Sequence, residues 1–200
     1  MASNSKRYTG PATVRQHYMG EYAVVCPKCK KEALVTVNNG WRLGNGRLAC
    51  QHCSHSGNIT DLIRYNVIVK RHCDECGKHF EVVVPNNKTK TANIHLACPH
   101  CGVARIYEPR NEEYFLHYDG QAPTDPVFGL SLWFQCEIRG DLFWAFNRKH
   151  LLEIADYVSS TLRERKTKQY TTMVEKLPQF IKAAKNRELI GKAVDSLLKK

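Results

Sequence analysis

Cys26-Pro-Lys-Cys29, Cys50-Gln-His-Cys53, Cys73-Asp-Glu-Cys76 and Cys98-Pro-His-Cys101 are four identically spaced pairs, and they hold eight of the nine cysteines in this 200-residue chain. Twenty residues separate the first two pairs, 19 the second from the third, and 21 the last two. A CxxC turn brings two sulfurs to one side of a tight loop, where both can reach an ion about 2.3 Å away. Two such turns facing each other build a tetrahedral four-thiolate site. The spacing matches the C-x2-C-x15–20-C-x2-C zinc pattern or overshoots it by one residue. One CxxC arises readily by chance; four in two near-equal modules do not. The expectation is two structural Zn2+ ions, one held by Cys26, Cys29, Cys50 and Cys53 and the other by Cys73, Cys76, Cys98 and Cys101. Disulfides would need an oxidising compartment, and a redox CxxC would need a βαβ setting that is missing here. Iron in a tetrathiolate site has nearly the same spacing and stays open.

The flanking residues say how each site is built. Glu21–Val25 and Glu32–Val37 are apolar and β-branched enough for strands. Asn38-Asn39-Gly40 signals a tight turn, because Asn-Gly tolerates positive φ, and Trp41–Ala49 returns toward the second pair. The plan repeats with Asn66–Arg71, His79–Val84 and Thr91–Ala97, the last two joined through a tip at 85–90. Gly77 and Gly102 directly follow the second cysteine of their pairs, where a residue without Cβ turns its backbone toward sulfur at little cost. Over residues 21–109 the chain resembles the zinc-ribbon class, two knuckles at one end of a three-stranded sheet, here in tandem. Crossed ligand pairing, as in RING-like braces, competes with sequential pairing, and sequential pairing suits modules that carry their own strand–turn–strand. His52, His55, His72, His79 and His100 sit beside the knuckles and could replace a thiolate, although eight thiolates already suffice.

The chain therefore reads as α+β: a basic tail at 1–20, ribbon one at 21–66, ribbon two at 67–109, a polar proline-containing linker at 110–126, and an aromatic hairpin with helices at 127–200. In that last region Val127–Ile138 and Leu142–Phe146 flank an Arg139-Gly140-Asp141 turn. Asn147 can cap a helix with Leu151, Ala155, Val158 and Leu162 on one face. Pro178 suits the first turn of a short helix, and Asn186 can cap a last one carrying Ile190, Ala193, Val194, Leu197 and Leu198. Cys136 reads as a small core hydrophobe. GLSLWFQCEIRGDLFWAFNRKHL and LPQFIKAAKNRE resemble small bacterial zinc-ribbon proteins. That resemblance, over about 125–190, implies a bacterial or phage setting and carries no activity with it.

With 30 Lys plus Arg against 19 Asp plus Glu, the formal charge is +11. Two filled tetrathiolate sites lower this to about +7, still basic. Lys28, Lys30, Lys31, Arg42 and Arg47 crowd the first ribbon with Trp41 among them, Lys70 and Arg71 join the modules, and Lys88 and Lys90 mark the second tip. Cations interleaved with an aromatic suit phosphate contact plus base stacking, on DNA or RNA. A solvated basic surface is the plainer reading. No apolar run approaches the roughly 20 residues a membrane span needs, and the first twenty residues lack the apolar core of a secretory signal, so a cytoplasmic location is expected. Gly-rich phosphate loops, HExxH and GxSxG are absent. Glu164-x-Lys166, with Asp119 or Asp125 as default partners, is the only trace of a nuclease-like set, so no enzymatic activity is expected. Two functions follow: a nucleic-acid-binding accessory subunit, or an adaptor docking onto a larger enzyme or polymerase through the ribbons or through 127–200.

Overall fold

The computed structural model describes residues 6–37, 46–164 and 167–200; Trp41, Arg42, the Asn38–Gly40 turn and Lys166 lie outside them. The chain divides into two compact units, one of residues 1–59 with 118–200 and one of residues 60–117. Among the described residues no helix is long and apolar enough to cross a membrane.

In the first unit β1 (Glu21–Val25), β2 (Glu32–Val37), β3 (Gly46–Ala49) and β4 (Ser56–Asn58) form an antiparallel sheet in that order. β2 alternates as a strand with one covered face should, with Ala33 and Val35 buried and Leu34 exposed. β1 does not alternate: Tyr22, Ala23 and Val24 are all buried, because both of its faces and its free edge are covered.

The second unit is built on β5 (Ile63–His72), flanked by β6 (His79–Asn87) and β9 (Arg110–Phe115), with β7 (Ile94–Ala97) and β8 (Ala104–Tyr107) forming a separate hairpin. The three strands expected of the second ribbon are present, but their pairing differs. The third strand of the main sheet is β9, from the stretch expected to be a linker, and Thr91–Ala97 narrows to β7 and pairs with β8. Polar composition hid β9. Its Glu113 accepts a 3.1 Å hydrogen bond from Tyr65 Oη on β5, the kind of cross-strand pair that supports a polar edge strand. The 66/67 module boundary falls inside β5, whose ten residues run unbroken into the third knuckle. The buried cluster here is small: Val69, Cys73, Phe80, Cys98 and Tyr107.

The remainder of the first unit is the hairpin β10 (Phe134–Ile138) and β11 (Asp141–Ala145), then α1 (Arg148–Ser159), α2 (Gln179–Lys182) and α3 (Arg187–Lys199). Residues 134–145 hold the expected hairpin, and α1 and α3 both pack against it. The region does not stand apart from the first ribbon. Ala23 N–H donates to Phe146 O (2.7 Å), Trp133 N–H to Ala23 O (2.8 Å) and Val25 N–H to Ser131 O (2.9 Å), which pairs the free edge of β1. Asn147 caps α1 by accepting from His150 N–H at 2.9 Å, and its Nδ2 donates to Tyr18 O (2.8 Å) and Glu21 O (2.9 Å). Asn186 precedes α3 as expected but does not cap it; its amide donates to Phe180 O instead. Residues 6–20, expected to be a tail, are tied in by Tyr8 N–H to Leu162 O (2.9 Å) and Met173 N–H to Thr13 O (2.7 Å), with Tyr8 and Tyr18 buried.

Candidate metal centres

Each knuckle has the same backbone. The first cysteine's N–H donates to the carbonyl five residues on: Cys26 to Lys31 (2.8 Å), Cys50 to His55 (2.8 Å), Cys73 to Lys78 (2.9 Å) and Cys98 to Val103 (2.9 Å). The residue after the second cysteine closes the turn with positive φ, at +63° for Lys30, +54° for Ser54, +70° for Gly77 and +77° for Gly102. Two of those four positions are glycine, the residue that reaches this region without strain. Lys30 and Ser54 adopt it against their own preference, which is why composition alone flagged only Gly77 and Gly102.

These turns gather the sulfurs into two groups, Cys26, Cys29, Cys50 and Cys53, and Cys73, Cys76, Cys98 and Cys101, with the ligand atoms of each group within 4.8 Å of one another. Pairing is sequential, not crossed. Across the facing knuckles Cys26 and Cys53 Sγ are 3.7 Å apart, Cys29 and Cys50 3.6 Å, and Cys73–Cys101 and Cys76–Cys98 3.8 Å each. A tetrahedron with metal–sulfur bonds of about 2.3 Å has edges near 3.8 Å, whereas a disulfide needs about 2.05 Å. The donor sets thus fit two structural zinc ions. Neither group includes a histidine; His100 Nε2 lies 3.0 Å from His79 O instead.

The electrostatics ask for a cation. The Cys76 and Glu75 backbone N–H groups hold the Cys73 thiol at about 6, against burial that opposes ionisation. Cys101 goes the other way: despite the favourable Val103 N–H, burial and the Cys98, Cys73 and Cys76 sulfurs push it up to about 12. In the first site Cys50 is held at about 7 although burial opposes it, through the His52 and Cys53 N–H groups, and Cys53 is raised to about 12 by burial and its sulfur neighbours despite the His55 N–H. Four thiolates this close cannot all ionise until a divalent ion shares their charge.

No protein-family model, curated protein or solved structure matches this chain.

The cations expected to meet nucleic acid divide into two kinds. Lys28, Lys30 and Lys31 around the first knuckle, Arg47 on β3 and Lys88 at the second tip are exposed and carry no ion pair to a described residue. Lys70 instead pairs with Glu81 (2.9 Å), Arg71 pairs with Asp74 (2.8 Å) and lies 5.2 Å from the Tyr107 ring centre, and Lys90 sits 5.7 Å from that of Tyr65. Of the nuclease-like trace, Glu164 pairs with Arg7 at 3.2 Å. Asp125 is buried and accepts from Val127, Phe128 and Leu130 N–H at 2.7–2.9 Å, shaping the loop that leads into β10. Burial, with Asp125 nearby, raises Tyr22 to about 12. Burial likewise pushes the Cys136 thiol up, as suits a packing role. Sequence reasoning passed over His150, whose place in a helical run on α1 gives no sign that it lines a cavity.

Proposed function

We propose that the chain is a zinc-binding, nucleic-acid-binding protein of a bacterial or phage cytoplasm, acting as an accessory subunit of a larger nucleic-acid machine. The observation that carries this reading is the group of exposed cations around the first metal centre, Lys28, Lys30 and Lys31, with Arg47 on β3, none of which pairs with a described carboxylate. A closed four-thiolate site leaves no coordination position for water, so the metals stiffen a binding surface and perform no chemistry. Phosphate contact by these lysines and Arg47 supplies affinity, and Trp41, close to them in sequence, supplies base stacking. Lys70 and Arg71, already paired, contribute less than the free cations.

Binding of fluorescent single- and double-stranded DNA and RNA across a salt series tests this. Each phosphate neutralised contributes about 0.9 to the slope of log K against log salt on duplex DNA. Replacing Lys30, Lys31, Arg42 and Arg47 together by Ala should flatten the slope by up to about 3.6 on duplex DNA. Trp41→Ala should cost about 1–3 kcal/mol per stacked base and leave the slope alone. Weak binding that ignores the quadruple change would move the assignment to the adaptor reading. That second reading is favoured by Leu142 on β11 and Leu152 on α1, which are 45% and 49% exposed and offer apolar contact to a protein partner.

A further inference from the structure

The first unit holds a cavity of about 350 Å³ bounded by β11, α1, the 3-10 turn at Arg15–Tyr18 and residues 173–181. Trp144, Met173, Leu177 and Ile181 give it a largely apolar wall, and Arg15, Lys176 and His150 supply its charge and hydrogen-bonding capacity.

His150 is the unusual member. It is 3% exposed, and Tyr18 stacks on its ring at 4.9 Å between centres, with Phe146 at 5.4 Å. Nδ1 accepts from Phe146 N–H at 3.2 Å. An imidazole nitrogen that accepts carries no proton, so the proton sits on Nε2. Nε2 is buried and has no hydrogen-bond partner among the described residues. Buried donors are paired in nearly all folded proteins, and an unpaired one needs a reason. Burial first, and the Arg15 charge second, push this histidine down to about 4, so it stays a neutral donor near pH 7. Arg15 and Lys176 are exposed, and neither is paired with a described carboxylate. The cavity therefore offers one fixed neutral donor, two uncommitted cations and an indole wall.

We propose that this cavity is a binding site for a small aromatic carboxylate, whose ring lies among Trp144, Leu177 and Ile181 and whose carboxylate is taken by Arg15, Lys176 and the Nε2–H of His150. A cavity of about 150 Å³ accommodates benzene, so this one suits a fused bicyclic body. A carboxylate on a short arm leaves the ring against the apolar wall while its two oxygens reach the rim cations and the buried donor. The site is independent of the nucleic-acid reading, since none of its residues belongs to the metal centres or to the cations around them.

Indole-3-acetate is the probe, titrated into the zinc-loaded full chain with 15N-labelled His and Trp side chains followed by NMR. Saturable shifts of the Trp144 indole and His150 Nε2 signals are expected at submillimolar concentrations. The neutral amide, indole-3-acetamide, should bind at least about tenfold more weakly, a difference of about 1.4 kcal/mol. The Arg15→Ala/Lys176→Ala double variant changes only exposed side chains, so it should fold normally, lose about tenfold for the carboxylate and bind the amide unchanged. Three results would overturn the proposal: no saturable shift up to about 5 mM, well above a millimolar Kd of about 4 kcal/mol; equal binding of amide and carboxylate; or a double variant that binds the carboxylate as well as the parent.

Discussion

Replacing Cys73 by Ser should unfold one unit of this protein and spare the other. Apart from the ligands, the second unit buries few apolar side chains, chiefly Val67, Val69, Phe80 and Tyr107. At about 1.5–3 kcal/mol each, their burial contributes about 6–12 kcal/mol as an upper bound. A structural zinc contributes about 10–16 kcal/mol to a module of this kind. The metal thus matches or exceeds the apolar core, and weakening its site removes more than the remaining contacts can supply. The first unit is differently provisioned: Tyr22, Phe128, Phe134, Phe143, Leu132, Leu151, Ile154 and Ile190 are all fully buried within it. Elemental analysis should find near two zinc equivalents in the parent and near one in the variant. A 1H–15N spectrum should show residues 60–117 collapsing to unfolded shifts while α1, α3 and β10–β11 keep theirs. The reasoning is refuted if the second unit stays folded without its zinc, or if the first unit melts with it. Iron in place of zinc, visible by colour, would refute the metal assignment itself.

Asn147→Ala removes a helix cap and both amide donations to Tyr18 O and Glu21 O, so chemical denaturation should show a loss of about 2–3 kcal/mol; a loss below 1 would contradict the bracing role. Gly120→Ala places a Cβ against Gly129 O and 2.6 Å from Ser131 N, backbone atoms that cannot swing aside, and its melting temperature should fall by several degrees, against a near-neutral result if the loop is slack. His150 has a folded value of about 4 against 6.5 when unfolded. Only the unfolded chain takes up its proton in that window, so stability is complete above about pH 6.5, declines as the pH falls toward 4, and loses at most about 3 kcal/mol. His150→Gln should flatten the pH 7-to-5 trend in thermal melts, and identical slopes in the two proteins would refute the assignment.

The metal centres were readable because eight thiols at fixed spacing leave few alternatives, and the first cysteine of each of the four knuckles makes the same backbone hydrogen bond. The strands flanking the first two pairs were readable for the ordinary reason that Glu21–Val25 and Glu32–Val37 are apolar and β-branched. Composition misled at Arg110–Phe115, where two glutamates, an arginine and an asparagine look like a linker yet form the outer strand of a sheet. It misled again at 6–20, where two buried tyrosines, ion pairs of Lys6 and Arg7 and a few backbone hydrogen bonds hold a polar segment without any periodic pattern. Nothing local announced that Val24 would lie beside Leu132, since such pairing across more than a hundred residues leaves no periodicity in either segment.

That long-range pairing has a consequence for the order in which the ribosome can complete the two units. Everything the second zinc site needs lies between Thr60 and His117, and its long strand β5 is closed on both sides once β9 emerges. The first site's cysteines are translated earlier, but the edge of β1 stays uncovered until residues 131–146 appear, and α3 closes the core only when residues 187–199 emerge. Contacts between segments far apart in sequence form late. The nascent chain should therefore finish its second metal site first, holding the knuckles of the first on a half-built sheet in the meantime.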